Sequence, residues 1–347
     1  MTDVQAPTMP LSTYGLRLLA VNIIGHPLDY VRFLIQIGHE PLPPYPAKTI
    51  FGKSIMRLPS ILKYVEYIKS RDGWLGLYRG LVPKVLGHVL GSGAAITTTD
   101  HLKLKGGRNC MDDPSFTEKQ RFVGSLFQCQ ASYINNSCLP SMYDEWQSMM
   151  NELNFQDVAS EISWLKFEFL ILTLQKSVVE RVVFISVSHP FITISARMMA
   201  SFVGGEEAYS GMFSAVRQIF KEDGLVGFFS GYLPRLIGDI AAVVISTVVV
   251  YSINNYIVKE KDLQTLTGAA FGYYINSQAH PFAVVSSCMT VNNTSLQAGN
   301  PPNMLPFKSW ISCWKHLKLN NQLQRGSALF FRAYNGEPAG SLQLLLD

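Results

Sequence analysis

Three times the sequence places His-Pro inside a long apolar run: His26-Pro27, His189-Pro190 and His280-Pro281. A proline inside a helix removes one backbone donor, and its ring clashes with the preceding turn, so the helix kinks there. Three such runs are the mark of an internal repeat. They predict three kinked helices, with kinks at Pro27, Pro190 and Pro281, in three related units around a pseudo-threefold axis. A second repeat supports the first. The stretch Asp72-Gly73-Trp74-Leu75-Gly76-Leu77-Tyr78-Arg79-Gly80-Leu81-Val82-Pro83-Lys84 returns as Asp223-Gly224-Leu225-Val226-Gly227-Phe228-Phe229-Ser230-Gly231-Tyr232-Leu233-Pro234-Arg235. The Asp, three Gly and the Pro are identical, and the aromatic and basic positions keep their character.

Composition places these repeats in lipid. Charged residues make up 16% of the chain, against about 25% in an ordinary soluble domain. No Asp, Glu, Lys or Arg stands between Asp262 and Lys308, a stretch long enough to hold a spanning helix of about 20 residues. The net charge of +4 is too mild to suggest a nucleic-acid partner. The five cysteines, Cys110, Cys129, Cys138, Cys288 and Cys313, are odd in number and irregular in spacing. They give neither a disulfide framework nor a metal site, and read as free thiols. Residues 1–10 carry an Asp and no Arg, unlike a transit peptide or a secretory signal, so any organelle address is expected within the membrane helices. No nucleophile–base pair, phosphate loop or metal cluster is present, so the chain is expected not to be an enzyme and to need no cofactor.

Taken in order, residues 11–37 predict a first membrane helix, ended by the prolines of 41–46. Apolar positions at helical spacing over 48–71 predict a short amphipathic helix along the interface. Residues 81–98 predict a second membrane helix, on which Gly87, Gly91 and Gly93 form a small-residue packing face. Further membrane helices are expected over 176–202, 232–258 and 265–291, and further interfacial helices over 209–221 and 310–319. Residues 104–175 fit neither pattern. Pro83 and Pro190 are 107 residues apart, Pro234 and Pro281 only 47, a surplus of about 60. Its apolar run 164–174 is too short to span alone. The chain therefore divides into repeat 1 (1–103), an enlarged loop or insertion (104–175), repeat 2 (176–262) and a truncated repeat 3 (263–347). After Arg332 only fifteen residues remain, interrupted by Gly336-Glu337-Pro338, so a sixth helix is not expected.

The segment Pro27-Leu28-Asp29-Tyr30-Val31-Arg32, with the glycine turns that follow, resembles the mitochondrial carrier family, whose odd helices carry a Pro-x-[Asp/Glu]-x-x-[Lys/Arg] motif. The stretch Leu34-Ile35-Gln36-Ile37-Gly38-His39-Glu40-Pro41-Leu42-Pro43-Pro44, together with Leu233-Pro234-Arg235-Leu236-Ile237-Gly238-Asp239, Val291-Asn292-Asn293 and Arg325-Gly326-Ser327-Ala328-Leu329-Phe330-Phe331-Arg332, is similar to its divergent branch, the mitochondrial carrier homologs. The resemblance covers residues 12–100 and 176–335. It implies an all-α membrane protein: a mitochondrial-carrier-like three-repeat helical bundle, here lacking the sixth transmembrane helix, with short interfacial helices.

The departures from the carrier pattern bear on function. A transporting carrier is gated by two rings of salt bridges. In the first ring only repeat 1 keeps its charges, Asp29 and Arg32; repeat 2 has Ile192 and Ser195, and repeat 3 Ala283 and Ser286. In the second ring Asp100 and Lys103 fit, but repeat 2 has Ser252 and Asn255. Neither ring closes by ion pairing, so gated solute exchange loses its basis. Five helices on a threefold plan leave a polar cavity open to lipid. Polar groups at membrane depth must face protein or water, and Asp29, Arg32, Arg197, Arg235, Asp239, Asn254, Asn276 and Gln278 are the expected lining of that groove. Blander readings stand beside it: Asp29 and Arg32 satisfy each other, Arg235 snorkels to the headgroups or pairs with Asp239 one turn on, and Asn276 and Gln278 bond between helices. The three histidines are expected to bond the carbonyl freed by the neighbouring proline rather than a metal. The resemblance implies a multi-pass insertase of the mitochondrial outer membrane that accepts clients with α-helical anchors. The alternatives are scrambling of membrane phospholipids through the same groove and docking of pro-apoptotic proteins such as truncated Bid.

Overall fold

The computed structural model describes residues 11–48, 54–102, 155–258 and 260–334. The fold is mostly helical. In order come α1 (Leu11–Gln36), β1 (Tyr45–Lys48), β2 (Ser54–Leu58), α2 (Ile61–Gly76), α3 (Leu81–His101), α4 (Phe155–Ala200), α5 (Met212–Asp223), α6 (Tyr232–Tyr256), α7 (Lys261–Gln278), α8 (His280–Val291), α9 (Trp310–Leu319) and β3 (Arg332–Ala333). The described residues pack as two compact units. One is drawn from 15–94, 184–242 and 276–347, the other from 1–14, 95–183 and 243–275. The first holds the hydrophobic core and every cluster described below.

That core joins the proline segments to the short helices that follow them. Tyr30, Leu34 and Ile35 of α1, Ile61, Tyr64 and Ile68 of α2, Ile194 of α4, Ile219 of α5, Val284, Val285 and Val291 of α8 and Leu317 of α9 are all buried in one cluster. The short helices are punctuated by glycine. Helix α2 is broken at Gly73 (φ 73), and α5 ends against Gly224 (φ 65). Only glycine enters this left-handed region without steric cost. A tight turn and a second left-handed glycine follow, Gly80 (φ 80) or Gly231 (φ 76), after which α3 or α6 begins. Helix α9 starts with Ser309 as its cap, which accepts from the Ser312 amide at 3.3 Å.

Three expectations are corrected. Residues 48 and 54–58 lie in strands rather than in the start of an amphipathic helix: β1 pairs antiparallel with β2, and β3 adds to the other edge of β2. Pro46 suits an edge strand, where no ladder donor is needed, and the third strand comes from nearly three hundred residues away, beyond the reach of periodicity. The third long helix begins at Phe155, not 176, and takes in the 164–174 run; its 46 residues give about 69 Å of helix. The fifth is not one kinked helix. Helix α7 stops at Gln278, α8 restarts with Pro281 in its first turn, and the Phe282 amide reaches back only to the Ala279 carbonyl, at 3.1 Å. Pro27 and Pro190 do lie inside continuous helices.

The five expected spans are supported in part. Among the described residues one segment, Val226–Asn254, is long and apolar enough to cross a membrane by length and composition, and 11% of its apolar window is buried. Helix α8 is apolar but has only 12 residues. Of the 104–175 insertion, residues 104–154 lie outside the described residues, as do Lys103 and residues 335–347.

Candidate functional site

The repeated motifs meet at three places of one design. His26 Nε2 lies 2.9 Å from the Arg79 carbonyl, His189 Nε2 3.0 Å from the Ser230 carbonyl, and His280 Nε2 2.7 Å from the Arg325 carbonyl. Each of those carbonyls precedes a left-handed glycine: Gly80, Gly231 and Gly326 (φ 72). The histidine therefore donates not to the carbonyl its proline frees but to the glycine turn after the short helix of its own repeat. Among the described residues no group of three His, Cys, Asp or Glu is placed to hold a metal.

The next contacts run from repeat to repeat. Ser195 donates to the Gly80 carbonyl at 2.7 Å, and Ser286 to the Gly231 carbonyl at 2.8 Å. The third equivalent, Arg32, lies against Gly326, where an added Cβ would sit 3.4 Å from the arginine Cγ. Ser195, Ser286 and Arg32 hold the basic position of the Pro-x-[Asp/Glu]-x-x-[Lys/Arg] motif. Where ion pairs were expected to be missing and the ring open, short neutral hydrogen bonds and a glycine contact close it.

Helix packing repeats as well. A Cβ on Gly87 would lie 2.8 Å from Phe191 Cβ, and one on Gly238 2.5 Å from Phe282 Cβ. Both glycines stand seven residues after a glycine turn, and both phenylalanines directly follow a kink proline. Small residues let helix backbones close to this distance. A Cβ on Gly91 would likewise lie 2.9 Å from the Phe184 carbonyl, whereas one on Gly93 would meet no other element within 4 Å, so two of the three expected glycines form the packing face.

The candidate groove residues part company. Asp29 does not pair with Arg32; it takes Lys84 Nζ at 2.6 Å, and its side chain is 50% exposed. Lys84 opens α3 at the position Arg235 holds in α6, and Asp29, Lys84 and Arg235 are all close enough to act electrostatically on the His88 ring. One acid, two bases and an imidazole thus lie near one another, with the Asp29–Lys84 ion pair among them. Lys84 and His88 were missed by the sequence reading, although the match of Lys84 to Arg235 was the signal that could have found the first. Arg32 is partly buried, and its Nε has no hydrogen-bond partner. Arg235 and Asp239 are half-buried one turn apart on α6. Arg197 is withdrawn from the groove: 1% exposed, it donates to Asp223 at 2.8 Å and to the Thr290 carbonyl at 3.1 Å, beside Glu222. It is a clasp between repeats 2 and 3. Asn276 and Gln278 are exposed at the end of α7, and Asn254 is half-buried on α6 within the other compact unit.

Outside the long helices, burial shapes the ionisable groups. Burial raises the Glu40 carboxyl above the usual range, opposed by its ion pair with Arg332. Burial, helped by the Arg71 charge, lowers His39 to about 4. A pocket of about 630 Å³ opens beside the second glycine turn, lined by Gly227, Ser230, Asn292, Phe307 and Lys308 among others.

Comparison with known proteins gives a consistent picture. The sequence profile of the family described as mitochondrial carrier protein matches residues 16–108 and 177–261. The chain is 31% identical over 317 residues to mitochondrial carrier homolog 2 of Mus musculus and to that of Homo sapiens, covering 90% of this chain and 90% of each relative. It is 32% identical over 334 residues to mitochondrial carrier homolog 1 of Mus musculus, covering 90% of this chain and 74% of that protein.

Proposed function

The chain belongs to the mitochondrial carrier family, and from that premise we propose that it is a multi-pass insertase of the mitochondrial outer membrane for clients with α-helical anchors. The observation that carries the reading is the charged cluster on the apolar helix α1. Within one and a half turns α1 presents Ile24, 77% exposed, Leu28, 40% exposed, and Asp29, half exposed and bound to Lys84. An ionised side chain at helix centre costs about 2.5–3.5 kcal/mol on insertion scales, so Asp29, Lys84 and Arg235 need water. The apolar neighbours need lipid. A border of that kind gives a client's hydrophilic end a wet path while its apolar helix moves into the bilayer, and it calls for no covalent chemistry. The ring at Ser195, Ser286 and Arg32, which closes without an ion pair between repeats, argues against alternating access, since the acidic partners that a switching gate would exchange are replaced by Ile192 and Ala283.

The test is insertion of a radiolabelled tail-anchored client into liposomes holding the purified protein, scored by protease protection, for wild type and Asp239→Arg. Protected client whose amount changes with the substitution is the expected result. No insertion by folded protein in vesicles that scramble phospholipid would overturn the insertase reading in favour of the scramblase. Binding of a pro-apoptotic protein that depends on the loops, without insertion or scrambling, would overturn it in favour of a docking receptor.

A further inference from the structure

The packing of repeat 1 on 2, and of repeat 2 on 3, is written twice in the same residues, and the third instance is left open. Helix α3 puts Gly87 on Phe191, and α6 puts Gly238 on Phe282. The position matching Phe191 and Phe282 in repeat 1 is Leu28, directly after Pro27. The position matching Gly87 and Gly238 in repeat 3 is Ala333, seven residues after Gly326. In the first two repeats the glycine turn launches a helix at once, at Leu81 and Tyr232. After Gly326 the chain runs instead into β3, where Ala333 pairs with Arg57 of β2 and the buried Arg332 donates to the Pro59 carbonyl at 3.1 Å. The residue that would cover Leu28 is therefore stitched into a sheet. Among the described residues the face it would cover is left exposed: Ile24 is 77%, Ile23 44% and Leu28 40% exposed.

We propose that the client's own anchor helix fills this third position, seated on α1 at Ile24 and Leu28 through a small residue near its middle. The reasoning rests on the insertase reading and names the feature by which that site recognises its substrate. The occupant is specified by the two filled copies. In each, a helix crosses the proline helix with glycine at the closest point, because any larger side chain would hold the backbones apart. An anchor with Gly, Ala or Ser at its centre reproduces that contact on Leu28. An anchor of leucines alone cannot approach as closely, and stands off from the Asp29–Lys84 pair one residue away along α1.

The experiment places a photoreactive phenylalanine analogue at Leu28, at Ile24 and, as a lipid-facing control, at Val89 of α3, which is 45% exposed. Each full-length variant is reconstituted in liposomes and given a tail-anchored test protein with a twenty-residue leucine anchor, with or without one central glycine. The expected result is crosslinking at Leu28 and Ile24 at least fivefold above Val89, and at least threefold more for the glycine anchor. Ile24, the more exposed site, keeps the test intact if the Leu28 variant does not fold. Protected client with equal crosslinking at all three sites, or with no preference for glycine, overturns the docking site and leaves the insertase standing. No protected client with any folded variant or with wild type overturns both.

Discussion

Gly231 carries two demands at one atom. Its φ of 76 lies in the left-handed region, and a side chain there would run into the Ser286 carbonyl and Thr290 Oγ1. A non-glycine residue in this conformation costs about 1–3 kcal/mol before any clash is counted. Gly231→Ala should therefore melt well below wild type in detergent. Gly93→Ala, with nothing within 4 Å of the new methyl, should stay within about 1 kcal/mol of wild type. A melting temperature for Gly231→Ala equal to that of Gly93→Ala would show that the turn relaxes. His39 makes a separate residue-scale prediction. Its ring sits among Tyr64 and Phe202, with Nε2 lacking a hydrogen-bond partner and Arg71 nearby. Burial holds its folded pKa at about 4, below the unfolded value of about 6.5. Between these values the unfolded chain binds the extra proton, so the contribution to stability is complete above pH 6.5 and is lost as pH falls towards 4. Denaturation curves from pH 7.5 to 4.5 should fall less steeply for His39→Gln than for wild type. Identical slopes would remove His39 from the account.

At the scale of elements, the three proline segments are joined by hydrogen bonds that no local pattern announces. Ser195 and Ser286 each reach a glycine carbonyl in the preceding repeat. A buried hydrogen bond of this kind contributes about 1 kcal/mol. Ser195→Ala and Ser286→Ala should each lower stability by that order, and the double variant by the sum, because the two bonds have separate partners. Chemical denaturation of the three variants checks this, and a double variant no weaker than either single one would mean that the bonds do not act independently. The sequence made the His-Pro segments and the glycine turns legible, since kinking and left-handed backbone are local properties of proline and glycine. It also marked Leu81 and Tyr232 as helix starts and Trp310–Leu319 as a helix. What it hid depended on distant partners. The β1–β2 hairpin needs β3 from the far end of the chain. Arg197 has the look of a groove residue until Asp223 and Glu222 are folded onto it. Lys84 was visible as the counterpart of Arg235, yet its bond to Asp29 joins residues 55 apart.

For the molecule as a whole, the question is whether the charged cluster serves through its particular arrangement or only through its polarity. Asp29 and Lys84 form an ion pair in which the acid is half exposed. Lys84 is only 15% exposed, so removing its partner leaves a poorly solvated charge. Asp29→Lys alone sets two cations side by side, near Arg235, and should reduce insertion of a tail-anchored client several-fold and lower the melting temperature. Adding Lys84→Asp restores the pair with its direction reversed. If the groove works as a wet border, the swapped pair keeps it hydrated and insertion should recover most of the wild-type level. If the cluster instead reads the charge at the client's end, the swapped protein should remain poor for its first client and improve for one whose terminal charge is also reversed. Protease protection with the two clients separates these outcomes. Equal insertion by all three proteins would take Asp29 and Lys84 out of the path altogether and leave the bare face of α1 as the part of the molecule that handles the client.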